Sequence, residues 1–198
     1  EGSLTYVADQ GFGVQSCSIA RTHSCAVMIG GLLLCWGDTD NGKLGSATGA
    51  RTPSLPVSGF ADPVLFVSAG AEHTCVITLK RDAFCLGRNE YGQLGDGTLT
   101  SSSRPVRVEG GHKWLHLDSS AAITCGVTIA GAVYCWGRDA YGQGGSGAIV
   151  TATRPTPNAV VTLSSGFSSL SCSSWVCCAL RNDGQLWCWG SNDYGELG

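Results

Sequence analysis

The feature that most constrains the fold of this chain is a pair of cysteines ten residues apart that occurs four times. The first cysteine of each pair recurs after 50, 50 and 53 residues. Each second cysteine is followed by Trp-Gly, or by Leu-Gly in one copy, and then by a glycine-rich loop. A fixed period of this length indicates a repeat architecture such as a propeller or a solenoid. The four pairs are Cys25 and Cys35, Cys75 and Cys85, Cys125 and Cys135, and Cys178 and Cys188.

Between the two cysteines of a pair lie two short apolar runs joined by a tight turn. In the fourth copy, Asn182-Asp183-Gly184 is typical of a three-residue hairpin loop, with glycine where a positive φ is needed. Counting back from this turn places Cys178 opposite Cys188, at a Cα distance that a disulfide tolerates. The same count works in the first and third copies, whereas Arg81 stands at the glycine position of the second. We therefore predict that each pair forms a disulfide across its hairpin; the alternative is buried free thiols that serve as small hydrophobic groups.

Three cysteines, Cys17, Cys172 and Cys177, lie outside the repeating pairs. An odd number leaves at least one without a partner in this chain. A bond between Cys172 and Cys177 is one pairing that the sequence allows, and a bond to a missing segment or to another chain is another. Because regularly paired cysteines are typical of oxidising compartments, we expect a secreted or cell-surface protein.

Each unit carries the signals of four short strands and no helical periodicity. An apolar run is followed by the two strands of the cysteine hairpin and, after the glycine loop, by a proline-bearing segment of the kind found at sheet edges. This pattern predicts an all-β fold, a β-propeller of ~50-residue four-stranded blades. Residues 1–16 would end a preceding blade, 17–60, 61–110 and 111–158 would form three repeats, and 159–198 a truncated fourth.

Two sets of side chains recur at fixed repeat positions. Trp36, Trp136 and Trp189 directly follow the second cysteine, and strand alternation places them on the face opposite the disulfide. His23 and His73 precede the first cysteine by two residues. We expect both sets to pack between blades, the histidines by hydrogen bonding to the backbone of the next blade. Aromatic ligand platforms and a metal or catalytic role for the histidines are the alternatives.

Two segments, His23-Ser24-Cys25-Ala26-Val27 and His73-Thr74-Cys75-Val76-Ile77, are each followed later by a second cysteine and glycine. Together with the stretch 91–98, of sequence Tyr-Gly-Gln-Leu-Gly-Asp-Gly-Thr, they resemble the regulator of chromosome condensation repeat family. The resemblance extends over nearly the whole chain. It implies a β-propeller, usually of seven blades, so four units would be a segment of a longer ring. The cysteine pairs are similar to a secreted or surface branch of that family. The sequence departs from the family pattern at Leu86 and Gly144, and in the residues just before Cys125 and Cys178. These departures fall on packing positions.

The sequence contains no nucleophile elbow, phosphate loop, zinc signature or placed carboxylate pair, so we predict no catalytic activity, no metal and no cofactor. Residues 38–42 are similar to the start of a calcium loop, but they lack its downstream glutamate and are interpreted as a turn. His112 and His116 are four apart on a predicted strand or loop, where this spacing does not converge. A net charge of −3 without a basic run argues against a nucleic-acid partner. The longest apolar run is too short to span a bilayer.

These observations predict a non-catalytic extracellular interaction or structural module within a larger exported assembly. Its loops would contact a protein or a glycan, or would mediate self-assembly into a filament. The loops that differ between copies are 46–51, 97–104, 146–157 and 168–175. One alternative is guanine-nucleotide exchange for a small GTPase, which the resemblance implies as the family's best-known activity. Others are an enzyme-inhibiting propeller and the ligand-binding ectodomain of a receptor.

Overall fold

The computed structural model describes residues 13–45, 56–147, 153–161 and 163–198. These residues form fourteen strands and one 3₁₀ turn (Asp40–Gly42). The strands are β1 (Val14–Ile19), β2 (His23–Met28), β3 (Leu33–Gly37), β4 (Val64–Ala69), β5 (His73–Thr78), β6 (Ala83–Gly87), β7 (Ser102–Arg107), β8 (Trp114–Ser120), β9 (Ile123–Thr128), β10 (Val133–Arg138), β11 (Thr153–Ala159), β12 (Phe167–Cys172), β13 (Val176–Arg181) and β14 (Leu186–Gly190).

The strands form four antiparallel sheets, each of which is one blade. The blades are β1-β2-β3, β4-β5-β6-β7, β8-β9-β10-β11 and β12-β13-β14, in chain order. At the outer edge of the first blade, Pro56 bridges Leu34, where β7 and β11 stand in the next two blades. The innermost strands β1, β4, β8 and β12 contact one another in succession. The predicted all-β propeller architecture is confirmed.

Two predicted unit boundaries differ from the strands. Residues 14–16, which the sequence predicts to end a preceding blade, belong to β1, where Ser16 pairs with Val27 of the first cysteine hairpin. These residues lack the apolar run that indicates the first strand in the other blades. The third unit extends one residue past its predicted end, to Ala159 of β11. Residues 1–12 lie outside the described part of the chain.

The hairpin register agrees with the count made from the turns. Cys178 lies opposite Cys188, and the other three pairs face each other in the same way. Gly184 adopts a φ of 88°, as its turn position requires. Arg81 adopts a φ of 63° at the equivalent position, so the second hairpin keeps the turn at the cost of a strained non-glycine residue. The register therefore depends on the turn geometry more than on the glycine itself.

The hydrophobic core lies between the blades. Each of the three largest buried clusters combines the disulfide face of one blade with the opposite face of the next. Between the second and third blades, for example, Cys75 and Cys85 share a cluster with Trp114, Leu117 and Trp136. Since a single sheet cannot bury both of its own faces, each blade depends on its neighbours for stability, as in other repeat proteins.

Candidate functional site on the glycine-loop face

The structure joins each of the four cysteine pairs in a disulfide across its own hairpin. A fifth disulfide joins Cys172 to Cys177 across β12 and β13, one of the pairings that the sequence allowed. Cys17 is free and exposed on β1. The sulfur atoms of Cys125, Cys172 and Cys177 lie within 4.8 Å of one another, but each is already bonded in a disulfide. This cluster therefore offers no thiolate to a metal.

The two histidines before the first cysteines form hydrogen bonds between blades. His23 Nε2 lies 2.9 Å from Thr74 Oγ1, and His73 Nε2 lies 2.8 Å from Thr124 Oγ1. The hydroxyl of Thr74 in turn donates to the carbonyl oxygen of Lys43, so it must accept from the histidine. The expectation of a backbone partner in the next blade was wrong: the partner is a threonine side chain. Its signal in the sequence is the threonine directly before Cys75 and Cys125.

Burial keeps both histidines neutral near pH 7. It lowers the pKa of His23 to about 4, with a further contribution from the positive charge of Lys43. It lowers the pKa of His73, which is fully buried, to about 3. A buried imidazole with so low a pKa and a fixed threonine partner is suited to structural hydrogen bonding. It is not poised for proton transfer at physiological pH.

Trp136 and Trp189, which follow the second cysteines of the third and fourth blades, pack against the preceding blade. The indole nitrogen of Trp136 donates to the carbonyl oxygen of Gln93 at 3.0 Å, and that of Trp189 donates to Gln143 at 2.8 Å. Leu86 occupies the same position in the second blade and is fully buried. Trp36 packs with Ala26, Met28 and Leu34 on the first blade. Trp136 is fully buried, whereas Trp36 and Trp189 are half-buried.

The remaining predicted positions do not form one site. The ring of His112 lies 4.2 Å from that of Tyr134, whereas the ring of His116 lies 5.1 Å from that of Phe66. The carboxylate of Asp38 pairs with Lys43 at 2.5 Å. Of the four variable loops, residues 46–51 and 148–152 lie outside the described residues.

One end of the blades is formed by the four glycine loops, residues 38–45, 88–95, 138–145 and 191–198. We call it the glycine-loop face. Each loop begins with a backbone N–H that donates to the turn between the first two strands of its own blade. Arg138 N, for instance, donates to Ala122 O at 2.9 Å, and Ser191 N donates to Trp175 O at 3.0 Å. The loops and these turns therefore lie side by side, and the side chains on them differ from blade to blade.

Between the first and second blades the contacts on this face are ionic. The buried ammonium of Lys43 lies 2.5 Å from Asp38 and 2.6 Å from Glu72 of the next blade. Burial alone would lower the pKa of Lys43, but the hydrogen bonds and charges of the two carboxylates outweigh it and raise the pKa. Asn41 also donates to Glu72, at 3.1 Å. In this part of the face the one ammonium and both carboxylates are engaged with one another.

Across the second, third and fourth blades the contacts are aromatic. The guanidinium carbon of Arg138 lies 5.4 Å from the ring centre of Tyr91, 5.9 Å from that of Tyr141 and 5.8 Å from that of Trp175. The rings of Tyr141 and Trp175 meet edge to face at 4.5 Å, and 41% and 43% of these residues are exposed. We call these four residues the aromatic cluster. The sequence does not predict this cluster, because Trp175 reaches the tyrosines only through the stacking of the blades.

Family comparison agrees with this architecture. Models of the regulator of chromosome condensation (RCC1) repeat match residues 64–93, 82–129 and 167–196. Repeats of the RCC1 type are therefore present in residues 64–129 and 167–196. No sequence among the curated proteins matches it significantly. The predicted occurrence of RCC1-type repeats is thus confirmed.

Several solved structures share the fold. Human WBSCR16 superposes with a TM-score of 0.84 at 22% identity, over 99% of this chain and 51% of its own. Yeast RCC1 (Prp20), solved bound to Kap60, gives 0.79 at 16% identity, over 92% and 44%. The ectodomain of the Physcomitrella patens receptor kinase CR4 gives 0.55 at 22% identity, over 88% and 38%. The chain thus spans about half the length of these proteins or less. In its described residues, no helix has the length and apolar character to cross a membrane.

Proposed function

We propose that this chain is an exported, non-catalytic interaction module that presents its glycine-loop face to a protein partner. The observation that carries the proposal is the aromatic cluster, in which half-exposed Tyr141 and Trp175 surround Arg138 on rigid loops. Tyrosine, tryptophan and arginine are the residue types that dominate binding energy at protein interfaces. A cluster held by blade packing loses little side-chain entropy on binding, which favours affinity.

Export is supported by the five disulfides, because such bonds form and persist in oxidising compartments. The similarity to the fold of a plant receptor ectodomain is in keeping with this setting. A count of reactive thiols in the native protein tests it. We expect one, from Cys17. About eight or more would contradict both the pairing and the location.

A protein is favoured as the partner over a glycan or a second copy of this chain. Solved relatives of the same fold are described in protein complexes or with protein-binding properties: yeast RCC1 bound to Kap60, and Prp20p binding Gsp1p and histones. These partners belong to those proteins. They show that a propeller of this type can serve as a binding surface, and the aromatic cluster supplies one here.

The test is affinity capture from the extracellular fluid of the cells that make the protein. The bait is the whole chain, compared with the variant Tyr141→Ser/Trp175→Ser. A matched control, Leu79→Ser/Ile129→Ser, changes two exposed apolar residues at the opposite, hairpin end of the blades. We expect a protein that the native chain and the control capture and the aromatic variant loses. Equal capture by all three would contradict the proposal. A labelled-GDP release assay on any captured GTPase separates this function from nucleotide exchange.

A further inference from the structure

A cavity of about 250 Å³ opens on the glycine-loop face between the third and fourth glycine loops. Its walls combine three aromatic rings with two carboxylates. The lining residues are Tyr141, Trp175, Ser191, Asp193, Tyr194 and Glu196. The structure describes both of the loops that form this cavity. The pair formed by the third and fourth loops can therefore be compared with the pair formed by the second and third.

The preceding pair of loops has a cation in the equivalent place. Ser191 and Arg138 are equivalent, since each directly follows the glycine of its blade's Trp-Gly pair, Gly190 or Gly137, and donates its N–H to the turn of its own blade. The Arg138 guanidinium lies 5.4 Å and 5.9 Å from the rings of Tyr91 and Tyr141, the tyrosines of the second and third loops. Tyr141 and Tyr194 are the corresponding tyrosines of the third and fourth loops. The short side chain of Ser191 leaves empty the space that a guanidinium fills one repeat earlier.

The fourth loop carries two negative charges at positions where the third loop is neutral, and these charges favour a bound cation. Asp193 stands where the third loop has Ala140, and Glu196 stands where it has Gln143. Glu196 Oε2 accepts the N–H of Tyr194 at 2.9 Å, just as Gln143 accepts that of Tyr141 at 2.7 Å. Since neutral Gln143 makes the same hydrogen bond, the bond does not require the negative charge of Glu196. Neither carboxylate forms a salt bridge within the described residues. With Arg138 beside them, the site carries a net charge of about −1 at neutral pH.

We propose that this cavity binds the side chain of an arginine from a partner protein. The guanidinium would stack on the ring of Tyr194, beside the rings of Tyr141 and Trp175 that Arg138 also contacts, and would pair with Asp193 and Glu196. Arginine is preferred to lysine because its flat fork both stacks on aromatic rings and binds carboxylates with two hydrogen bonds. The inference rests on the proposed function and names the chemistry of its partner: a protein segment with an exposed arginine.

The test is calorimetric titration of the whole chain with an acetylated, amidated Gly-Arg-Gly peptide. Its matched control replaces arginine by citrulline, which keeps the shape and removes the charge. We expect the arginine peptide to bind with a Kd on the order of 1 mM and the citrulline peptide at least about tenfold more weakly. The variant Ser191→Arg, which restores the residue of the third loop, would fill the cavity and abolish binding. Asp193→Asn/Glu196→Gln would weaken binding at least about fivefold without adding bulk, and a circular dichroism spectrum establishes that each variant is folded.

Equal binding of the two peptides, binding of neither, or undiminished binding to folded Ser191→Arg would overturn the inference. A lysine peptide that binds as tightly as the arginine peptide would also contradict the preference for a guanidinium. The proposed function fails separately, through capture that is indifferent to Tyr141→Ser/Trp175→Ser. If the captured partner is lost by that variant and retained by Ser191→Arg, the interaction module stands and the arginine site falls.

Discussion

Two neighbouring blade interfaces solve the same packing problem in different ways. Between the second and third blades, His73 donates to Thr124 at 2.8 Å. Between the third and fourth, Ile123 takes the histidine position and Cys177 takes the threonine position, where it is bonded to Cys172. The polar pair is therefore replaced as a pair, by an aliphatic side chain and a disulfide. A single replacement would have left a buried donor or acceptor without its partner, which costs more than losing both together.

The carbonyl oxygens of the glycine loops show why the exchange is tolerated. Gln93 O accepts from both Thr124 and Trp136, so it has two donors. Gln143 O has lost its threonine and keeps the indole of Trp189. At the interface between the first and second blades the reverse holds: Leu86 has no donor, and Lys43 O accepts from Thr74. Each buried carbonyl keeps at least one donor from the next blade, as buried polar groups require.

The largest expected effect comes from removing a hairpin disulfide beside these interfaces. Cys125→Ala/Cys135→Ala should lower the free energy of unfolding by about 3 kcal/mol, because the unfolded chain regains the entropy of a closed loop. Cys172→Ala/Cys177→Thr opens a shorter loop, with a sequence separation of 5 in place of 10. It also restores the threonine of the other interfaces, so its loss should be smaller, about 2 kcal/mol. Urea unfolding of the oxidised proteins measures both, and an equal or reversed order would contradict the comparison.

The parts of this comparison that the sequence could predict are those set within one hairpin. The cysteine register follows from a ten-residue spacing and a short turn, so it needed no knowledge of neighbouring blades. The threonine partner of His73 and the tryptophan that completes the aromatic cluster are contacts across about fifty and thirty-seven residues. They depend on how the blades stack, which local patterns do not fix. Leu86 lacks the indole donor of the other blades, and Thr74 replaces it by donating to Lys43 O. This contact joins two blades, so the sequence alone does not indicate it.

A matched pair of threonine substitutions tests the rule that each loop carbonyl needs one donor. Thr74→Val removes the donor to Lys43 O and the acceptor of His23, so two buried groups lose their partners. We expect a loss of about 2–3 kcal/mol. Thr124→Val leaves Gln93 O with Trp136 and should cost about 1 kcal/mol less. Thermal unfolding of the two variants under the same conditions measures the difference. If Thr124→Val lowers the stability more than Thr74→Val does, the number of donors to the loop carbonyl does not explain the difference between the interfaces.

Acid should weaken the histidine interfaces. The pKa of His73 is lowered to about 3 by burial, whereas in the unfolded chain it is near 6.5. Below pH 6.5 the unfolded state therefore binds a proton that the folded state does not, and stability falls as the pH falls. The slope is about 1.4 kcal/mol per pH unit for this histidine between about pH 6 and pH 4. Substitution His73→Gln should flatten the stability profile by that amount, measured as unfolding free energy at pH 6.0 and 5.0. Parallel profiles for the two proteins would show that His73 is protonated in the fold.

The smallest effect concerns the inner strands, where the same interfaces differ once more. Ser18 and Ser68 each accept a backbone N–H of the next blade, whereas at the third position Asp118 accepts that of Cys172 at 2.6 Å. Burial raises the pKa of Asp118, so the fold favours its protonated form, and its contribution to stability is lost as the pH rises through that pKa. Asp118→Asn keeps an acceptor and removes the buried charge. It should stabilise the protein by up to about 1 kcal/mol at pH 7 and have little effect near pH 4. Destabilisation at pH 7 that persists at pH 4 would mean that the hydrogen bond to Cys172, and not the charge, determines the choice of aspartate.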